Sequence, residues 1–225
     1  MLARYVLALI VAAGVLAGAD HENAVAKAAA KANADRPYQI YLLKGLADVF
    51  STGMDFLEAK LEVRGIVGEV HNHAFVESVA QSAIAKWRGG LHGPIIIIGH
   101  SLGADSAFKM AQRLGSAEVP VALLVTFSPV GSAPVPANVR HAVNYFQSNS
   151  AWHGQITGGP GFHGALENID LASTPGITHF NIEKVDQLHA ATIAKVLALV
   201  STRANAAKKP APSATLQSGI SATSQ

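Results

Sequence analysis

The stretch Ile95–Asp105, IIIIGHSLGAD, decides the fold. Four isoleucines in a row are typical of a strand that is buried on both faces, as in a parallel sheet. The run ends in a turn with glycines at 99 and 103, and the pattern that follows is helical. Such a strand-to-helix turn would bring the hydroxyl of Ser101 to the edge of the sheet, at the positive end of a helix.

Strand and helix patterns alternate on both sides of this stretch. Because strands joined by helical crossovers run parallel, the sequence predicts an α/β fold: a single three-layer domain with a mostly parallel central sheet and helices on both faces. In such sheets, sites form along the edge where the strands end. Apolar strand patterns cover 38–45, 66–73, 119–130 and 140–149, and helical patterns cover 51–65, 74–90, 104–115 and 182–202.

The two ends of the chain differ in composition from the domain between them. Residues 1–19 have one positive charge, then an apolar run and a small-residue cleavage pattern, so they are predicted to be a secretory signal peptide, with an uncleaved anchor as the alternative. A polar leader (20–36), the α/β domain (37–203) and a disordered tail (204–225) are predicted to follow. We therefore expect a periplasmic or secreted protein, which would associate with a membrane only through an uncleaved N-terminus or a lipid substrate.

Composition limits the function classes. Of 225 residues, 49% are hydrophobic and 14% are charged, which is enough apolar material for a large core. The formal net charge is +2 and no basic run is interleaved with aromatic residues, so no nucleic-acid partner is expected. The chain has no cysteine, which excludes thiol catalysis and Cys-based zinc sites. We expect no cofactor and no metal.

The pentapeptide Gly99-His100-Ser101-Leu102-Gly103 fits the pattern G-x-S-x-G. In this position it resembles the nucleophile elbow of lipases, esterases and thioesterases of the α/β-hydrolase superfamily, and the resemblance covers about Tyr38 to Leu199. It implies a serine, an acid and a histidine in that chain order, with Ser101 as nucleophile. It also implies an oxyanion hole made by the backbone N–H of Leu102 and a group after an earlier strand. Leu46 is the candidate there, and the Ser51 hydroxyl could contribute.

A serine hydroxyl needs a base to take its proton. His179 is the best candidate, because it lies in a loop directly before the last helix, where the superfamily places its base. His163 and His153, in the glycine-rich loop, are the alternatives.

The acid is harder to place. At the two positions where the superfamily usually has it, this chain has Ser128 and, after the next strand, Ser148 and Asn149. Asp170, nine residues before His179, is the carboxylate expected to orient the base. If no carboxylate reaches the imidazole, a dyad of Ser101 and His179, oriented by Ser128 or Asn149, is the alternative.

These observations predict an exported serine hydrolase that cleaves small-molecule carboxylic esters or lipids through an acyl-enzyme. The apolar side chains of Trp152, Ile156 and Phe162 lie in the loop 150–178, where they could contact an acyl chain. The alternative hypothesis is a non-catalytic binding protein of the cell envelope with the same fold, which the missing carboxylate favours.

Overall fold

The computed structural model describes residues 36–46, 51–131, 133–152 and 154–208, with only the backbone from 202 onward. The predicted signal peptide, nearly all of the leader and residues 209–225 lie outside this part of the chain. No helix within the described residues is long and apolar enough to cross a membrane. The strands are β1 (Gln39–Lys44), β2 (Glu69–Asn72), β3 (Ile95–His100), β4 (Leu123–Phe127), β5 (His141–Phe146) and β6 (Ala165–Asp170), and the α-helices are α1 (Gly53–Glu62), α2 (Val76–Arg88), α3 (Leu102–Ser116) and α4 (Asp186–Lys208).

The six strands form one sheet in the order β2-β1-β3-β4-β5-β6, and every neighbouring pair is parallel. The predicted fold class is therefore confirmed. Because the strands are parallel, their carboxyl ends share one edge, which carries the turns after β1, β3 and β4. Since β3 lies between β1 and β4, the elbow after it is flanked by the loops that follow both neighbours.

The four isoleucines of β3 divide between two apolar cores. Ile95 and Ile97 face the core that contains α2 and α3, whereas Ile96 and Ile98 face the core that contains α1 and α4. This is the two-residue alternation of a strand covered on both sides. Each isoleucine is buried, and burial of such a side chain contributes about 1.5–3 kcal/mol to folding. The continuous apolar run is thus explained by a helix layer on each face.

Strand β6 is the one element of the sheet that the sequence patterns do not predict. Its side chains are only partly buried, and it forms an edge of the sheet beside β5. Glu167 on this strand contacts His141 at 2.5 Å and Lys195 at 2.8 Å, so polar contacts replace apolar burial there. Helix α4 also differs from the expectation, because it continues past residue 203 to Lys208.

Candidate functional site

The backbone of the elbow is strained at the serine. Ser101 has φ 56° and ψ −125°, values that are unusual for a residue with a side chain. The glycines on either side allow strand and helix to approach. A Cβ on Gly99 would lie 2.3 Å from the carbonyl oxygen of Gly103, and a Cβ on Gly103 would lie 2.1 Å from that of Leu43 in β1. The G-x-S-x-G spacing is therefore a packing requirement in this chain.

Ser101 and His179 meet at the carboxyl edge of the sheet. The Oγ atom of Ser101 lies 3.0 Å from Nε2 of His179. Although the two residues are 78 positions apart, the loop before α4 brings the imidazole directly over the elbow. That loop is held by Asn181, which accepts a hydrogen bond from the amide of Thr178 and donates one to the carbonyl of Gly176. The pair can therefore pass a proton from hydroxyl to imidazole.

The other ring nitrogen of His179 contacts a hydroxyl and not a carboxylate. Its Nδ1 lies 2.7 Å from Oγ of Ser128, which directly follows β4. If Nε2 accepts the Ser101 proton, Nδ1 carries a hydrogen and donates it to Ser128. The described arrangement is thus Ser101, His179 and Ser128 in one line of hydrogen bonds, which corresponds to the alternative in which Ser128 orients the base.

Asp170 does not contact His179, and the expectation that it orients the base is corrected here. The carboxylate of Asp170 is exposed and accepts hydrogen bonds from the amides of Ser148 and Ala172. Asp170 ends β6, and β5 lies between β6 and β4, the strand that Ser128 follows. The amide of Asn149 donates to the carbonyl of Ala172 and does not reach the imidazole either.

Burial is the main influence on the charge of the base. His179 is 7% exposed, and desolvation lowers its pKa below the ordinary value of 6.5. The Asp105 carboxylate opposes this effect and raises the pKa in part. Asp105 also accepts hydrogen bonds from the amides of Val130 and Gly131, and so fixes the loop after Ser128. The imidazole is consequently neutral near pH 7, as a base must be.

The two predicted oxyanion donors lie on the same cavity as the nucleophile. Leu102 is the first residue of α3, and an amide at this position has no acceptor within its own helix. Leu46 follows β1. Ser51 contributes differently from the expectation, because its Oγ accepts from the amide of Gly45 and lies 2.9 Å from Nδ1 of His100. Its hydroxyl is thus engaged away from Ser101.

The cavity above Ser101 has a volume of about 270 Å³ and is mostly apolar. The indole of Trp152 stacks on the imidazole of His179, with ring centroids 4.8 Å apart and planes at 26°. An aromatic face at this distance favours a cationic ring, so it would stabilise the imidazolium that forms when the base takes a proton. The cavity is lined by Leu46, Ser51, His100, Ser101, Leu102, Val130, Trp152, His179 and Phe180.

The alternative bases are placed elsewhere or not described. His163 is exposed in the segment before β6, and His153 lies outside the described residues. Of the remaining apolar loop residues, Ile156 is buried in the core that contains α2 and α3, and Phe162 packs against it. Only Trp152 of the three reaches the cavity. Within the described residues, no cluster of three or more His, Asp or Glu side chains could hold a metal ion.

Four neighbours of the site make contacts that the sequence did not predict. The carboxylate of Asp105 supports the loop of Ser128. Its position one helical turn after the nucleophile was the available signal. His100, Glu183 and the stacked Trp152 contact the site through tertiary packing, for which the sequence carries no periodic signal.

Comparisons with known proteins give low-identity structural likenesses. A candidate α/β-superfamily hydrolase from Xanthomonas campestris is 16% identical, with a TM-score of 0.43, over 71% of this chain and 98% of its own. A candidate α/β hydrolase of unknown function from Agrobacterium tumefaciens is 14% identical, with a TM-score of 0.47, over 79% and 91%. A thioesterase of the prodiginine pathway in Streptomyces coelicolor is 13% identical, with a TM-score of 0.44, over 72% and 87%. No family model and no curated protein matches the chain.

Proposed function

We propose that this chain is a serine hydrolase that cleaves carboxylic esters through an acyl-enzyme on Ser101. The single observation that carries the proposal is the 3.0 Å contact between Ser101 Oγ and His179 Nε2, on a strained elbow that opens into a cavity. A hydroxyl in hydrogen-bond reach of a neutral, oriented imidazole is the arrangement that nucleophilic catalysis requires.

In the acylation step, His179 takes the proton of Ser101 while Oγ attacks the ester carbonyl carbon. The C–O bond to the leaving alcohol then breaks, and the imidazolium returns the proton to that alcohol. A water molecule repeats the sequence on the acyl-enzyme and releases the acid. The amides of Leu102 and Leu46 are the proposed donors to the oxyanion, and backbone donors of this kind contribute several kcal/mol to transition-state stabilisation.

The size of the cavity favours a small acyl group. Its volume of about 270 Å³ lies just under the range of about 300–1,000 Å³ that is usual for sites of drug-sized ligands. Its walls offer mostly apolar side chains, including Leu46, Trp152 and Phe180. We therefore expect short acyl esters to be better substrates than long-chain esters. Export of the protein remains part of the proposal, and it depends on residues outside the described part of the chain.

Turnover of p-nitrophenyl esters of increasing acyl length tests this function. The wild type should hydrolyse the short esters fastest, and Ser101→Ala and His179→Ala should abolish the activity. Ser116→Ala is the matched control, because Ser116 lies at the far end of α3 and bonds only its own helix. If the wild type does not hydrolyse any of the esters, or if Ser101→Ala retains the wild-type rate, the hydrolytic proposal is wrong. A folded but inactive wild type would favour the binding protein instead.

A further inference from the structure

A buried carboxyl group lies behind the candidate site and has no part in the chemistry proposed above. Glu183 lies four residues after His179, in the short 3-10 turn Ile182–Lys184, and its side chain has no exposed surface. Neither of its oxygens accepts a well-formed hydrogen bond from any residue that the structure describes. A carboxylate buried in this way is costly, so the environment favours the uncharged acid. Burial raises the pKa of Glu183 to about 7.

Four groups face Glu183 from the elements around it. Nδ1 of His100 in β3 lies 3.9 Å from Oε1, and Nζ of Lys184 lies 3.8 Å from the same oxygen. Gly53 at the start of α1 packs so closely that a Cβ there would lie 2.3 Å from Oε2. The ring of His189 in α4 reaches only the backbone carbonyl of Glu183, at 2.6 Å. The Lys184 ammonium and the Gly53 backbone lower the pKa of Glu183 in part, but burial outweighs them.

The imidazole of His100 has a defined protonation state. Its Nε2 lies 2.8 Å from the carbonyl oxygen of His179, and a carbonyl can only accept, so Nε2 carries the proton. Burial lowers the pKa of His100 to about 4, so the ring is neutral and Nδ1 is an acceptor. Ser51 donates its hydroxyl proton to this Nδ1 over 2.9 Å, and Ser51 Oγ in turn accepts from the amide of Gly45.

This line of hydrogen bonds connects three parts of the site. Gly45 directly precedes Leu46, one of the two proposed oxyanion donors. The carbonyl of His179 belongs to the proposed base. His100 itself is the residue before Ser101 in the elbow. One neutral imidazole therefore fixes the loop after β1 and the loop before α4 relative to each other.

We propose that Ser51, His100 and Glu183 form a buried positioning network behind the site, and that the network works while Glu183 is uncharged. The inference rests on the proposed function, since it gives the network its role in catalysis. The negative charge of an ionised Glu183, 3.9 Å from Nδ1 of His100, would favour the neutral tautomer that carries its proton on Nδ1 and not on Nε2, and Nδ1 could then no longer accept from Ser51. The hydroxyl would turn away, and the amide of Gly45 would lose its fixed acceptor.

The first test is the variant Ser51→Ala, with Ser51→Thr as its conservative partner. Active sites are titrated with a fluorophosphonate, so that kcat refers to functional molecules only. We expect Ser51→Ala to lower kcat about tenfold, the equivalent of one hydrogen bond, with KM unchanged. Ser51→Thr keeps the hydroxyl and should recover most of the rate. A merely structural role would lower the fraction of titratable protein and leave kcat alone, and that result would overturn the proposal.

The second test is Glu183→Gln, which keeps the shape of the side chain and cannot ionise. The ratio of kcat in Glu183→Gln to kcat in the wild type should rise between about pH 6 and about pH 8.5, because only the wild type acquires the buried charge. A ratio that does not change with pH would contradict the role of Glu183.

A third measurement separates this inference from the proposed function. If the wild type is neither labelled nor active, the hydrolytic function fails, and the network is then judged by nitrogen-15 NMR of its histidines. At about pH 6 the spectrum should show His100 neutral with its proton on Nε2, and Ser51→Ala should shift the Nδ1 resonance. A protonated His100, or one with its proton on Nδ1, would overturn the network.

Discussion

At the scale of single residues, the site differs from a Ser-His-carboxylate triad in the group behind the imidazole. The neutral hydroxyl of Ser128 takes that place, 2.7 Å from Nδ1 of His179. A neutral hydrogen bond contributes about 0.5–1.5 kcal/mol. Replacing the carboxylate of a known triad by an amide costs about ten-thousand-fold in rate. In the proposed mechanism Ser128 therefore orients the imidazole but does little to stabilise the positive charge of the imidazolium. The stacked indole of Trp152 and the carboxylate of Asp105 then contribute more of this stabilisation.

The variant Ser128→Asp would supply the missing charge. Ser128 has φ 46°, a conformation that Asp tolerates better than most residues. An opposite charge beside the imidazole favours its protonated form, so the pKa of His179 should rise from its lowered value. Because the base must be neutral, the acid-side fall of kcat/KM should begin at a higher pH than in the wild type. We also expect a higher kcat at about pH 8.

The control for this prediction is Asn149→Asp, which adds the same charge at the other position where the superfamily usually has its acid. Asn149 bonds the carbonyl of Ala172 and not the base, so its variant should keep the wild-type pH profile. If both variants leave the profile unchanged, Ser128 does not face a working base.

The sequence could predict that Ser101 and His179 meet, but it named Ser128 only as an alternative to Asp170 for the group behind the imidazole. Ser101 is identified by a local turn pattern, and His179 by its place before the last helix. Asp170 was chosen because carboxylates are scarce between these two residues. Which side chain reaches Nδ1 depends on the order of strands in the sheet, and no local pattern records that order.

At the scale of elements, the site depends on the close approach of α3 to β1. The elbow lies between β3 and α3, and Gly103 in the first turn of α3 contacts the backbone of Leu43 in β1. The helices that cover the sheet could be predicted from their periodicity, since buried positions such as Ala107, Ala111 and Leu114 recur at helical spacing and face one core. Strand β6 could not, because an edge strand with polar contacts has neither an apolar run nor a clear alternation.

Replacing Gly103 with Ala should separate α3 from β1. The added Cβ would meet the carbonyl of Leu43 at 2.1 Å, and backbone cannot move aside as a flexible side chain can. We expect the free energy of unfolding to fall by about 3 kcal/mol, the upper end of the usual cost of overpacking. Urea unfolding measures this change. Gly89→Ala is the control, because its nearest contact would be 3.3 Å and its φ is −75°. Equal stability of the two variants would refute the packing requirement.

At the scale of the whole molecule, buried ionisable groups make stability depend on pH in two directions. The pKa of His100 is lowered to about 4 in the folded protein. The neutral imidazole therefore contributes to stability above the unfolded-state pKa of 6.5, and this contribution is lost as the pH falls toward 4. The pKa of Glu183 is raised to about 7 from 4.5. The uncharged acid therefore contributes fully to stability below pH 4.5, and this contribution is lost as the pH rises through 7. Neither effect is predictable from sequence, because burial of a single polar residue leaves no pattern.

Glu183→Gln should therefore stabilise the protein at alkaline pH relative to the wild type. At about pH 4.5 the two side chains are both uncharged in the folded state, and the difference in unfolding free energy should be small. By about pH 8.5 the difference should have grown by at most about 3 kcal/mol in favour of the variant. Urea unfolding at a series of pH values measures it. If the difference in unfolding free energy between the two proteins does not change with pH, ionisation of Glu183 does not destabilise the fold, and the prediction is wrong.

The most direct test of the central claim is the intact mass of the protein after reaction with a fluorophosphonate. The account predicts one phosphonyl adduct per molecule of wild type and none on Ser101→Ala, with slow labelling of His179→Ala. The same single adduct should form on Ser116→Ala. A folded wild type that gains no adduct, or an adduct that persists in Ser101→Ala, would contradict the assignment of Ser101 as an activated nucleophile.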